Sequence, residues 1–155
     1  MMKTRTTLIT ATLWITAAAF AFAASVHLGT WKLNEAKSKI QSGSKNLTVT
    51  YAPAKNDMVE LTADGVNKEG KATHWTWMGK FDGKAYKVKG DYPADMVAIQ
   101  IVDNHTNKIT ATKEGKAMFT STVTVAKDGK SRMVVTNGTS AQGKKWTDKA
   151  YYDKQ

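Results

Sequence analysis

The side chains that most often carry catalysis or hold metals are few in this sequence. Its three histidines are His27, His74 and His105, and it contains no cysteine. Two ligands on one face of a strand stand at i and i+2, and on one face of a helix at i and i+4. No pair of these histidines has either spacing. Asp103 with His105 could catch a surface ion, but a polar hairpin tip explains the same residues. We therefore expect no metal site and no cofactor.

One short segment matches a known nucleophile motif. Ser42-Gly43-Ser44-Lys45 fits the pattern S-x-x-K, in which the lysine helps to deprotonate the serine. That chemistry needs the motif at the start of a buried helix, whereas here it lies in a Ser- and Gly-rich loop with no K-T-G sequence downstream. A chance match is the better interpretation. The sequence also has no G-x-S-x-G and no H-E-x-x-H segment, and we predict that the protein is not an enzyme.

Aromatic side chains give a stronger functional signal. Most of them alternate with polar residues, which places them on one face of a strand. If these faces enclose a cavity, the cavity favours a flat or apolar small ligand. The alternative is that they only fill the interior, since small barrels are just wide enough for their own side chains. The predicted ligand-binding residues of the interior are Trp75, Trp77, Tyr86, Ile99, Phe119, Trp146 and Tyr152.

The segments that carry these aromatics alternate with period two from Leu47 to the end of the chain. Met133 and Val135 are the apolar positions of the segment before the last one. Such alternation with β-branched and aromatic residues is typical of half-buried strands. Short turn signals separate the segments: Asp64-Gly65, Glu69-Gly70, Asp82-Gly83, Asp103-Asn104, Glu114-Gly115, Asp128-Gly129 and Asn137-Gly138.

No helical period lies between the strands, so parallel crossovers are not expected and the fold is predicted to be all-β. Consecutive hairpins must protect their sheet edges, and closure into a barrel does so. We predict a single antiparallel up-and-down β-barrel of about nine or ten strands, with a two-layer sandwich as the main alternative.

The N-terminal segment has the pattern of a secretory signal peptide. Lys3 and Arg5 precede a mostly apolar, uncharged run that ends at the A-x-A sequence Ala21-Phe22-Ala23. This run is shorter than the roughly 20 apolar residues of a membrane span. We predict a short signal helix within residues 1–23, its cleavage, and one domain of residues 24–155 that is not transmembrane. The protein would be periplasmic or secreted, and the sequence does not separate the two.

The charge of the chain is strongly basic, at +10. Apart from Arg132, the basic residues of the predicted domain are lysines, and many of them lie in turns. Nucleic-acid readers rely on arginine, whose planar fork grips phosphate and guanine with two bonds. We therefore expect no specific nucleic-acid partner, and we expect a monomer.

The start of the predicted domain carries a resemblance to a known family. Gly29-Thr30-Trp31 resembles the G-x-W motif of the lipocalin superfamily. The segments GTWKLNEAKSK, GKFDGKAYKVKG and YYDKQ are similar to a group of small exported bacterial lipocalin-like proteins. This resemblance implies an up-and-down barrel in which Gly29 and Trp31 plug one end. It also implies a basic residue near the last strand that stacks on Trp31, a place that Lys144, Lys145 or Lys149 would take.

Two hypotheses about function follow from these observations. The first is an exported lipocalin-like protein that binds a small apolar ligand without catalysis. The second is a filled barrel that acts through its basic surface, as an envelope protein-interaction module or an inhibitor.

Overall fold

The computed structural model describes residues 25–155 of the chain. The predicted signal peptide and its helix lie outside the described residues. Within them, ten antiparallel strands form one closed barrel, and a 3₁₀ helix spans Glu35–Lys37. The prediction of an all-β, up-and-down barrel with nine or ten strands is confirmed, and the sandwich alternative is wrong.

The strands follow chain order around the barrel, so each pairs with the next one. The first five strands are β1 Gly29–Leu33, β2 Lys45–Pro53, β3 Val59–Val66, β4 Ala72–Gly79 and β5 Asp82–Gly90. The other five are β6 Met96–Ile101, β7 Thr106–Lys113, β8 Lys116–Val125, β9 Ser131–Thr139 and β10 Lys145–Lys154. Strand β1 closes the barrel by pairing with both β2 and β10, with Trp31 opposite Val49 and Lys154.

The two ends of the barrel differ. One end, called the closed end below, holds residues 25–28, the turns 54–58, 80–81, 102–105 and 126–130, and the chain terminus at Gln155. His27, Trp31 and Phe81 are buried there. The other end, called the open end, holds the loops 34–44, 67–71, 91–95, 114–115 and 140–144. The longest loop, 34–44, folds against β10 through a bridge between Lys39 and Lys149.

Glycines explain where the turn predictions succeed and fail. Glu114 and Gly115 both have positive φ, at 50° and 78°, as a two-residue hairpin turn requires. Asp82-Gly83 instead begins β5, and two other predicted turns lie inside strands. Gly138 pairs with Trp146 across β9 and β10, and a Cβ there would overlap the indole. A Cβ on Gly65 would overlap the carbonyl oxygen of Lys45. Both glycines are needed for close approach rather than for a turn.

The inner face of β9 differs from the one that its apolar residues indicate. Arg132, Val134 and Thr136 face the interior, and Arg132 is only 3 % exposed. Met133 and Val135 therefore lie on the opposite face, because side chains alternate along a strand. The period of this strand was predicted correctly, and its phase was wrong.

Candidate functional site

A cavity of about 610 Å³ occupies the barrel on the side of the open end. This volume lies within the range of roughly 300–1,000 Å³ that is usual for small-molecule sites. Side chains therefore do not fill the whole interior, which favours the first hypothesis over the second. The walls are mainly apolar and come from inward positions of several strands, among them Val49, Leu61, Val97, Ile99, Val123, Val134 and Ala150.

The cavity brings together five of the seven predicted ligand-binding residues. These are Trp75, Ile99, Phe119, Trp146 and Tyr152. Trp77 and Tyr86 lie outside its lining and pack edge-to-face on each other, with ring centroids 5.9 Å apart. The indole N–H of Trp77 donates to the carbonyl of Val97 at 3.0 Å, which ties β4 to β6 across the intervening β5. The structure therefore assigns this pair to packing beside the cavity.

An arc of four aromatic rings forms one wall of the cavity. Ring centroids are 4.3 Å apart for Trp75 and Tyr92, 5.9 Å for Tyr92 and Phe119, and 6.2 Å for Phe119 and Trp146. Trp75 is fixed by a hydrogen bond of 3.1 Å from its indole N–H to Asn46 Oδ1. Tyr92 was missed by the sequence analysis because it lies in loop 91–95, outside any alternating segment.

The floor of the cavity is a cationic side chain surrounded by aromatic rings. The guanidinium carbon of Arg132 lies 4.7 Å from the ring centroid of Trp31, 5.1 Å from that of Tyr51 and 4.9 Å from that of Tyr152. Arg132, Tyr51 and Tyr152 line the cavity, whereas Trp31 lies outside its lining. A guanidinium in contact with ring faces gains cation–π attraction, which is larger in a desolvated site.

The basic partner of Trp31 is therefore not one of the predicted lysines. Lys144 lies in loop 140–144 at the open end, and Lys145 and Lys149 are exposed. Arg132 and Lys154 take the place, with Lys154 Nζ 5.1 Å from the Trp31 ring centroid. The prediction was wrong because Trp31 pairs with the end of β10, whereas the three lysines lie at or before its middle.

Gly29 makes room for this packing. A Cβ on Gly29 would lie 2.8 Å from Lys154 Cε, and the residue has a φ of 110°. The missing side chain thus lets Lys154 cross towards Trp31. The indole N–H of Trp31 donates to the carbonyl of His27 at 2.9 Å, which joins the residues before β1 to the closed end. The structure places Gly29 and Trp31 together at this end, the location implied by the resemblance.

The rim of the cavity is held by one carboxylate. Asp148 accepts hydrogen bonds from the backbone N–H groups of Gln41 and Ser42, at 2.6 and 2.9 Å, and from the Ser42 hydroxyl. Lys45 Nζ instead pairs with Glu35 at 2.7 Å. Ser42 and Lys45 are therefore bonded to different carboxylates and begin no helix, so the S-x-x-K segment does not form a serine–lysine pair.

The cavity floor carries a positive charge that the neighbouring tyrosine side chains do not neutralise. Burial raises the pKa of Tyr152 to about 12, although the charge of Arg132 acts against the rise. Burial also raises the pKa of Tyr92. Both phenols are therefore neutral at physiological pH and do not balance the guanidinium. Nε and Nη1 of Arg132 are buried and have no hydrogen-bond partner among residues 25–155.

The histidines lie away from the cavity lining. His27 is buried at the closed end, and burial, followed by the charge of Arg132, lowers its pKa to about 4. His105 lies in the turn 102–105, where its backbone N–H donates to Asp103 Oδ1 at 2.8 Å. His74 faces outwards and pairs with Asp64 at 2.6 Å. In the part of the chain that the structure describes, no group of three or more His, Cys, Asp or Glu side chains could hold a metal ion.

Comparison with known proteins supports the fold and adds no family. No protein-family model matches the chain, and a comparison with curated proteins gives no significant match. Among solved structures, the chain is similar to EF1p2_mFAP2b, described bound to DFHBI, with a TM-score of 0.50 and 13 % identity. The match covers 88 % of this chain and 99 % of that one.

At this identity the likeness concerns the fold alone. Fold and cavity together define the class of protein, which is a closed antiparallel barrel with an internal apolar cavity. This description fits a lipocalin-like barrel. Residues 25–155 include no helix long and apolar enough to cross a membrane.

Proposed function

We propose that this protein is an exported lipocalin-like barrel that binds a small apolar molecule in its cavity and does not transform it. The observation that carries the proposal is the cavity of about 610 Å³ with its arc of aromatic rings. Transfer of apolar surface from water into such a site is favourable by roughly 25 cal/mol per Å². A flat or extended apolar ligand therefore gains most of its binding free energy from the walls.

Three further observations support the proposal. Within residues 25–155, the side chains that line the cavity include no histidine, and the sequence contains no cysteine. Its carboxylate at the rim, Asp148, is already engaged by three donors from the loop 34–44. The structural neighbour EF1p2_mFAP2b is described bound to DFHBI, so a barrel of this fold has been seen with a small molecule.

Filling the cavity should weaken the binding of a neutral apolar dye such as Nile red. Ser121 is an inward residue of β8 that lines the cavity, and Thr122 is its exposed neighbour on the same strand. We expect Ser121→Phe to weaken dye binding at least about tenfold, because the ring takes volume that the dye needs. The measurement is a fluorescence titration of the purified protein.

The matched control is Thr122→Phe, which adds the same ring on the outer face. It should bind the dye as the unaltered protein does. Equal binding by both variants would show that the dye sits elsewhere. No binding of any apolar dye by the unaltered protein would contradict the proposal itself.

The proposed export and the proposed ligand are tested together by native mass spectrometry of protein purified gently from its own host. We expect a polypeptide of residues 24–155, because the Ala21-Phe22-Ala23 pattern directs cleavage there. We also expect an additional small mass that is lost on activation. A polypeptide that retains residues 1–23 would contradict cleavage. The release of a small mass tests ligand binding independently of cleavage.

A further inference from the structure

The guanidinium of Arg132 is the unusual feature of the cavity. The side chain is 3 % exposed and lines the floor, so a group at the bottom of the cavity would lie beside it. Arginine remains charged in proteins, and an isolated charge is expensive to remove from water. Buried charges are normally paired for this reason. In the described part of the chain no carboxylate forms a salt bridge with Arg132.

Three aromatic rings offset part of the cost of burying this charge, but not all of it. Cation–π contacts satisfy charge and leave N–H donors without acceptors. Nε and Nη1 of Arg132 find no acceptor in residues 25–155. The nearby phenol of Tyr152 stays neutral, because burial raises its pKa to about 12, and its hydroxyl donates to the Asn46 carbonyl at 2.9 Å.

The other charged groups at the cavity are already paired or lie at its rim. Asp148 is saturated by loop donors, and Lys45 is bound to Glu35. Asp91, in loop 91–95 at the open end, is exposed. The deep part of the cavity thus combines apolar walls with one positive charge that forms no salt bridge within residues 25–155. A ligand complementary to both has an apolar body and an anionic head.

We propose that the ligand is an apolar monocarboxylate, whose carboxylate lies at the floor of the cavity against Arg132 and whose body fills the aromatic upper part. This inference rests on the proposed function and specifies its ligand class. A planar carboxylate suits a guanidinium, which offers donors in a fixed fork. Bringing it to the floor gives Arg132 a counter-ion, and the aromatic arc remains free for the apolar chain.

The first test compares three probes that share one alkyl chain and differ only in the head. Dodecanoate, methyl dodecanoate and dodecylamine each compete with Nile red for the unaltered protein. We expect the carboxylate to bind at least about tenfold more tightly than the ester, and the amine most weakly. Equal affinity of acid and ester would overturn the inference and leave the proposed function standing. If none of the three binds, the proposed function fails as well.

The second test removes the charge. Arg132→Met keeps most of the side-chain volume and should bring the acid down to the affinity of the ester, whereas Arg132→Lys should keep a preference for the acid. A preference that persists in Arg132→Met would place the carboxylate at another cation, such as Lys45, and would overturn the proposal.

A third measurement does not depend on the folding of any variant. Arg132 is the sole arginine of residues 25–155, so its Nε–H gives one assignable side-chain signal in the NMR spectrum. Addition of dodecanoate should shift this signal strongly, and addition of the methyl ester to equal saturation should not. An unchanged signal at saturation with the acid would overturn the proposal.

Discussion

Replacement of Trp31 by alanine is expected to lower the free energy of unfolding by about 4 kcal/mol, as for other fully buried tryptophans. The side chain is 0 % exposed and lies between Arg132 and Lys154 at the closed end. Its removal leaves a void, takes one ring face from a buried guanidinium and frees the His27 carbonyl from its hydrogen bond. Urea unfolding followed by circular dichroism measures the loss.

The matched control for this variant is Trp146→Ala. Trp146 is half-buried at the cavity wall and packs over Gly138, where its loss opens the cavity to water rather than creating a sealed void. We expect less than half the destabilisation of Trp31→Ala. Equal losses for the two variants would mean that Trp31 contributes no more than an ordinary wall residue, which would contradict the prediction that it plugs the barrel.

The strands after β1 were predictable because they carry their own period of two. The segments around Val59, Val97 and Val123 show it over enough residues to identify a strand without any tertiary information. Closure of the barrel followed from the physics of sheet edges, since the meander leaves two edges that must pair.

The floor of the cavity was not predictable in the same way. A strand whose two faces are both partly apolar fits either phase, and a slip of one residue exchanges the faces. In β9 the pairing with β8 and β10 determines which face points inwards. Arg132 pairs with Tyr152 and Val125, which both face the interior. The cost of burying the charge is offset by rings from β1, β2 and β10, which no local pattern brings together.

Glycine shows a second limit of sequence reasoning. Asn137-Gly138 has the composition of a hairpin turn, yet it continues β9, and the turn lies in loop 140–144 with Gly143 at a φ of 79°. The reason is the indole of Trp146, which needs a neighbour without a side chain. Only the pairing of β9 with β10 reveals that need, whereas the dipeptide signal is local.

Acidification is expected to remove about 3 kcal/mol of stability through His27 alone, in the window from pH 6.5 down to about pH 4. Burial is the largest cause of the low pKa, and the charges of Arg132, His105 and Lys154 add to it, while Asp103 acts in the opposite direction. In this window the unfolded chain binds a proton at His27 and the folded one does not, so stability falls as the pH falls. Above pH 6.5 the contribution is complete.

The measurement is the free energy of unfolding in urea, taken above pH 6.5 and near pH 4, for the unaltered protein and two variants. His27→Gln cannot be protonated, so it should lose most of the decline in this window, whatever its stability at neutral pH. His74→Gln, which alters an exposed histidine paired with Asp64, should keep the decline.

The carboxyls of Asp82 and Asp103 do not contribute to this decline, because their pKa is lowered from 3.8 and their stabilising effect is lost below the window. An unchanged decline in His27→Gln would show that another group binds the proton. A decline that disappears there and persists in His74→Gln would show that the closed end holds a neutral imidazole beside the cation of Arg132. Protonation of His27 would then add a positive charge near those of Arg132 and Lys154, which both disfavour it.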